Sequence, residues 1–286
     1  MTRATPARHG PLLSVVVACR DEAEVLPEFH ATLLADLRRV DRCWEIVYAD
    51  DGSRDGTADT LRAFAAADSR VVCLSLGRRG KDAAMAAGLA RAAGDCVAFV
   101  DADLQHPTAL LAPMVAQYER GFEQVMARRR HVHSGRADRR FGSRAFHLLT
   151  RILCDVELLE GTGDFRLVGR PVADAALARP GQHSYMRGLF ASLPSRSVCV
   201  DYDWRPRAAG RSAWGTVALV RYGVRALMAC RTSSPTPSLT PGAVVTACEE
   251  AMVTAESVSA SAARVVRKPE LRPPSTAPGV RSTSGR

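Results

Sequence analysis

Two aspartates separated by one residue, Asp101 and Asp103, follow directly on the apolar run Cys96-Val97-Ala98-Phe99-Val100. A short run of β-formers of this kind reads as a buried strand. Residues two apart on a strand point to the same side. The pair therefore presents two carboxylates together at the C-terminal end of a strand, the rim where open α/β sheets bind ligands. Carboxylates this close repel one another unless a cation lies between them. Their hard oxygens suit Mg2+ or Mn2+, ions that bridge to substrate phosphates. A lone Asp-x-Asp also reads as a solvated acidic turn; the strand ahead of the pair, and the motifs around it, favour the cation.

The elements that must position this pair follow a strand-helix rhythm. Residues 12–18 and 44–49 are nearly all apolar, as in the interior of a parallel sheet. Each ends in a polar cluster: Arg20-Asp21-Glu22 after the first, and Asp50-Asp51-Gly52-Ser53-Arg54-Asp55-Gly56-Thr57 after the second. Helices are expected over residues 24–40, 57–67 and 81–93, with a further strand at 71–76 and a basic, glycine-flanked loop at 77–80. The order predicts a doubly wound, mostly parallel sheet with its polar residues collected on one rim. Beyond the acidic pair, Pro107 is placed to open a helix reaching residue 120. A strand is expected at 124–127, a helix at 144–153, a Gly-Thr-Gly turn at 160–164 and a short strand at 165–168. Helices at 171–177 and 183–193 and a strand at 198–204 complete this part.

Composition sets the class. The 286 residues, 47% of them hydrophobic, suffice for one large domain with appendages. The eight cysteines include no Cys-x-x-Cys pair and read as small buried hydrophobes, not a disulfide frame or a zinc site. Net charge is +9, compatible with nucleic acid, anionic membrane or phosphorylated substrates. Aromatics make up only 6% and do not interleave with the basic residues, which ranks nucleic acid last. Residues 1–11 are polar and basic without a signal-peptide core, and no stretch reaches the ~18–20 uninterrupted apolar residues of a membrane span. Residues 212–231 carry Val217, Val220, Val224, Leu227 and Met228 on one helical stripe with Arg221 and Arg225 off it. Such a helix lies in a membrane interface or packs on its own domain. From residue 232 the chain is rich in Ser, Thr, Pro and Ala and reads as a low-complexity tail.

Taken in order, the motifs resemble those of the family-2 glycosyltransferases with a GT-A fold. Within them the chain is similar to the polyprenyl-phosphate glycosyltransferases, the group of dolichyl-phosphate mannose synthase and bactoprenol glucosyltransferase. The resemblance runs over residues 12–214 and is carried by Asp50 through Thr57, Gly80-Lys81, Asp101-Ala102-Asp103-Leu104-Gln105-His106-Pro107, Gly163-Asp164-Phe165-Arg166-Leu167, Arg187-Gly188-Leu189, and Arg207 with Gly210 and Ser212. It implies a GT-A domain over 12–211 and a metal-dependent inverting transfer from a nucleotide-sugar, a UDP-sugar ahead of GDP-mannose, to polyprenyl phosphate in cell-envelope glycan synthesis. It further implies a nucleotide-sugar site at Ala18, Glu22, Asp51, Lys81, Asp101, Arg207 and Ser212. Mg2+ or Mn2+ would be held by Asp101, Asp103 and Gln105. Asp164 and Asp103 would be catalytic, and Arg128 and Arg144 would bind the lipid phosphate. Each has a blander alternative: turn or helix caps for Glu22, Asp51 and Asp164, a helix start for Gln105 and His106, and a solvated charge for Arg207.

Asp164 stands where a base would face the acceptor. A sugar hydroxyl needs such a base; a phosphate monoester, with a second pKa of about 6, is already largely ionised. Three departures from the group qualify the resemblance. Ala18 and Arg20-Asp21 replace the usual Pro and Tyr-Asn, Ala213 replaces the lysine after Ser212, and the tail from 232 stands where many relatives carry membrane helices. The expected attachment is therefore peripheral, at the cytoplasmic face of the plasma membrane. A soluble sugar acceptor and a catalytically impaired binding protein are the alternatives.

Overall fold

The computed structural model of the protein describes residues 12–130, 159, 161–179 and 182–203. A seven-stranded sheet forms its centre. The strands are β1 (Leu12–Cys19), β2 (Cys43–Asp50), β3 (Val71–Ser75), β4 (Cys96–Asp101), β5 (Gln124–Arg129), β6 (Thr162–Gly169) and β7 (Ser197–Tyr202), in the spatial order β3-β2-β1-β4-β6-β5-β7. The helices are α1 (Leu26–Leu37), α2 (Thr57–Ala67), α3 (Lys81–Arg91), α4 (Leu111–Glu119), α5 (Arg170–Leu177) and α6 (Met186–Ser192), with a 3-10 turn at Thr108–Leu110 before α4.

Period-two alternation divides the core into two layers. Leu13, Val15 and Val17 of β1, and Cys96, Ala98 and Val100 of β4, face a layer with Phe29 and Leu33 of α1 and Met114 of α4. Val16 of β1 and Val97 and Phe99 of β4 face the other layer, with Met85 and Leu89 of α3, Val172 of α5 and Phe190 of α6. Strands covered on both faces must be apolar throughout, which is why β1 and β4 read as continuous hydrophobic runs. Helix α3 lies close on β1 because Gly88 faces Val16: a Cβ there would stand 2.4 Å from the Val16 Cγ1.

The sheet is mostly parallel, as expected, with β1, β2, β3 and β4 aligned and β5 parallel to β7. One strand departs. β6 runs antiparallel to both β4 and β5. It is also longer than the expected 165–168: Thr162, Gly163 and Asp164 are strand, so Asp164 is not the cap of a turn. The ladder to β5, which continues across an irregularity to pair Arg128 with Thr162, extends β6 backwards into the Gly-Thr-Gly segment. Four helices are shorter than expected: α1 begins at Leu26, α3 ends at Arg91, α4 begins only at Leu111 after the 3-10 turn that follows Pro107, and α6 begins at Met186. Gln105 and His106 do not start a helix, since helical turns begin only at Thr108. The helix expected at 144–153, the amphipathic segment 212–231 and the tail from 232 lie outside the described residues. Among those described, no helix is long and apolar enough to cross a membrane.

Candidate active site

The parallel strands deliver their C-terminal ends to one rim. Cys19 is paired with Asp50, and Ala18 with Asp101 on its other side. The two loops that follow β1 and β2 are tied together there. Asp21 N donates to Ser53 Oγ (3.0 Å) and its Oδ1 accepts from Arg54 N (2.8 Å). Glu22 N donates to Thr57 Oγ1 (2.9 Å), and Ala23 N to Asp55 Oδ2 (3.0 Å). Asp21 adopts a left-handed backbone with φ 53°. Asn and Asp tolerate that conformation best among residues other than glycine. Aspartate therefore suits this backbone shape, and its Oδ1 supplies the acceptor for Arg54 N.

Asp51 is buried, and its Oδ1 accepts from two successive backbone amides, Arg79 N at 2.6 Å and Gly80 N at 2.7 Å. The carboxylate thereby fixes the loop that opens α3. Gly52, beside it, has φ +72°, and a Cβ there would lie 2.9 Å from Arg78 N, so the same loop packs against a position that only glycine fits.

The reversed direction of β6 creates the centre of the site. The ladder between β4 and β6 ends where Phe99 pairs with Arg166; continued by two residues, this antiparallel register carries Asp101 towards Asp164. The ammonium of Lys81, the first residue of α3, bridges the two. Its Nζ lies 2.7 and 2.9 Å from the Asp101 carboxylate oxygens and 2.7 Å from Asp164 Oδ2. Burial works against the Lys81 charge, but Asp101 and Asp164 hold its pKa well above the ordinary lysine value. Burial likewise works against ionisation of Asp164. Lys81, with Arg166 and Arg187 behind it, more than offsets this and lowers the Asp164 pKa to about 2.

Asp103 lies just past the strand, where its Oδ1 accepts from Gln105 N at 3.1 Å. Between them Leu104 has φ 58°, an uncommon conformation for a bulky residue, and it packs on the core. The carboxylate oxygens of Asp101 and Asp103 and the side-chain amide oxygen of Gln105 are hard donors of the kind that suits Mg2+ or Mn2+. Among the described residues no group of three His, Cys, Asp or Glu could hold an ion.

A second set of contacts was not foreseen from the sequence, including the partner of Arg128, a residue expected to bind the lipid phosphate. His106 is buried, with Nδ1 2.7 Å from the Tyr202 hydroxyl and Nε2 3.9 Å from Asp101 Oδ2. Burial lowers its pKa. Arg129 Nε donates to the same hydroxyl at 3.1 Å. Arg128 grips Asp201 with both prongs, Nε to Oδ1 at 2.6 Å and Nη2 to Oδ2 at 2.9 Å. Both arginines face their partners across the parallel β5-β7 pair, where Arg128 is in register with Asp201 and Arg129 with Tyr202. Strand pairing between residues this far apart is what hid the contacts. Arg144, Arg207 and Ser212 lie outside the described residues.

Residues 14–176 match the model of glycosyl transferase family 2. The chain belongs to that family. The glycosyl transferase fold is also seen in a solved structure of glucosyl-3-phosphoglycerate synthase from Mycobacterium tuberculosis, in complex with Mn2+, UDP and glucosyl-3-phosphoglycerate. It is 20% identical with a TM-score of 0.50, over 82% of this chain and 88% of that one. Among curated family relatives, the bactoprenol glucosyl transferase of Shigella phage SfV is 31% identical over 201 residues, 70% of this chain and 65% of that protein. CsbB of Bacillus subtilis, which carries a provisional glycosyltransferase name, is 32% identical over 214 residues, 74% of this chain and 65% of that protein. The chain thus spans just under two thirds of the length of these relatives.

Proposed function

We propose that this family-2 chain transfers a sugar, with inversion, from a UDP-sugar to polyprenyl phosphate at a membrane surface, with a divalent metal at Asp101, Asp103 and Gln105. The supporting relative is a bactoprenol glucosyl transferase. The observation that carries the choice of acceptor is the Lys81 ammonium 2.7 Å from Asp164 Oδ2, a partner that favours the ionised carboxylate and lowers its pKa. A carboxylate so weakly basic is a poor proton acceptor near neutral pH. An acceptor hydroxyl would need one; a phosphate monoester, its second pKa about 6, arrives already ionised.

In this reading Ala18, Glu22 and Asp51 bound the base and ribose end of the pocket, at the termini of β1 and β2. Asp51 keeps the loop before α3 in the shape that lets Lys81 reach the centre. Bound Mg2+ or Mn2+ would neutralise the diphosphate as it leaves. Lys81 supplies a second positive charge beside Asp101, where the diphosphate is expected, and Arg207 and Ser212 are its further contacts. Arg128 and Arg144 draw the acceptor phosphate towards the face of the sugar opposite the diphosphate. The phosphate oxygen forms its bond to the anomeric carbon as the carbon–diphosphate bond breaks, releasing UDP. Asp164, fixed by Lys81, contributes position and charge. The basic segment 212–231 would lie at the membrane interface.

The test is transfer of labelled sugar from a panel of UDP- and GDP-sugars to polyprenyl phosphate in detergent. A labelled lipid from one UDP-sugar, lost on adding chelator and in Asp103→Ala, is the expected outcome. Turnover with a soluble sugar acceptor in place of the lipid, or normal turnover by Asp103→Ala, would overturn the acceptor or the metal assignment respectively.

A further inference from the structure

His106 is enclosed on two sides by aromatic edges, with the Phe165 ring centroid at 5.6 Å and that of Tyr202 at 5.7 Å, both inclined at 64°. Its Nδ1 meets the Tyr202 hydroxyl at 2.7 Å. The direction of that hydrogen bond follows from the third member. Arg129 Nε, 3.1 Å from the same hydroxyl, can only donate, so the phenol oxygen is already an acceptor. A buried phenol must also place its own proton, and His106 Nδ1 is the acceptor in line for it. A neutral ring then carries its hydrogen on Nε2. A protonated ring carries one there as well. In both states Nε2, 3.9 Å from Asp101 Oδ2, is an N–H and has no lone pair free for a metal.

We infer that His106 is a positioning residue that presents an N–H to the Asp101 carboxylate and to the anion bound beside it, with Arg129 and Tyr202 fixing its ring from the β5-β7 pair. It is not a metal ligand, although it sits within the Asp-x-Asp segment. The identity of the anion as a nucleoside diphosphate rests on the function proposed above; the placement of the proton does not. The device connects two regions distant in sequence. Arg129 at the end of β5, Tyr202 of β7 and His106 form one hydrogen-bonded chain, and His106 Nε2 reaches to 3.9 Å from Asp101 at the end of β4, so the ends of the two strands are held in register.

The first test uses the full-length protein without ligands. Histidine ring nitrogen-proton correlation spectra, with the His106 signals identified by their loss in His106→Gln, should show a protonated Nε2 and an unprotonated Nδ1. Tyr202→Phe should give His106 a mixture of tautomers. A protonated Nδ1 with bare Nε2 in the parent protein, or a spectrum unchanged by Tyr202→Phe, would overturn the inference. The second test is calorimetric binding of UDP with Mn2+. Glutamine can offer an N–H from near the Nε2 position, so His106→Gln should bind far better than His106→Leu, which should lose about tenfold or more. Equal losses in the two variants would contradict the donor role. Absence of UDP-Mn2+ binding by the parent protein, with the tautomer as expected, would count against the proposed function alone.

Discussion

Lys81 Nζ lies 2.7 Å from Asp164 Oδ2, joining the first residue of α3 to a strand that runs against its neighbours. The contact exists because β6 is reversed. A parallel strand at that position would have turned its opposite end to this rim and left Asp164 elsewhere. The same ammonium pairs with Asp101, so one cation is shared between two carboxylates on neighbouring strands.

Replacing Lys81 with methionine removes that shared partner. Turnover should fall by about a hundredfold or more, the scale on which charged groups near a reacting diphosphate act. The fold should lose on the order of 2 kcal/mol, discounted for the partial exposure of the pair. Steady-state kinetics and urea unfolding measure the two effects separately. An active, equally stable variant would show that the ion pair is incidental.

The low pKa of Asp164 has a signed consequence for stability. Its folded value, about 2, lies below the ordinary 3.8. The ionised form therefore stabilises the fold fully above the unfolded value, and the contribution disappears as pH falls through the folded one. By linkage it is worth about 2 kcal/mol. The gap in unfolding free energy between the parent and Asp164→Asn should stay constant from pH 7 to 5 and shrink below pH 4. A gap that closes between pH 7 and 5 would contradict the assignment.

Asp51 should behave as the anchor of the loop before α3. Asp51→Ala strands two backbone amides and should cost about 2–3 kcal/mol, while Asp51→Asn keeps one acceptor oxygen and should recover part of it. The Michaelis constant for the donor should rise in the same order, alanine above asparagine. An alanine variant with parental stability and donor affinity would remove the anchoring role.

Arg128 forms a fork with Asp201. Arg128→Lys keeps the charge and loses the paired geometry. If Arg128 serves the acceptor phosphate, the Michaelis constant for polyprenyl phosphate should rise by about tenfold while that of the donor stays unchanged. A change confined to the donor would assign the arginine to the nucleotide instead.

Much of this architecture was legible because its signals are local. The β1 and β4 runs, Asp101 as the last residue of β4 and the start of α2 at Thr57 all follow from neighbouring residues, whereas the strand stops short of Asp103, so alternation does not place the two aspartates on one side. The direction of β6 was not legible, because strand polarity is decided by pairing partners far along the chain. With it went the proximity of Asp164 to Asp101. Lys81 was expected at the nucleotide-sugar site, but not as the bridge between two carboxylates. His106, Tyr202 and Asp201 were missed for a related reason. A single histidine in a loop and a Tyr or Asp on a strand carry no spacing signal of their own, and they acquire a role only when β7 pairs with β5.

The most direct measurement compares two acceptors that differ in one group, polyprenyl phosphate and the corresponding free polyprenol, with the same UDP-sugar and Mn2+ in detergent. The expected result is labelled product from the phosphate alone, because an Asp164 carboxylate with a pKa of about 2 cannot readily take the proton that the alcohol must lose. Transfer to the free alcohol at a comparable rate would contradict the acceptor assignment and restore Asp164 as a general base.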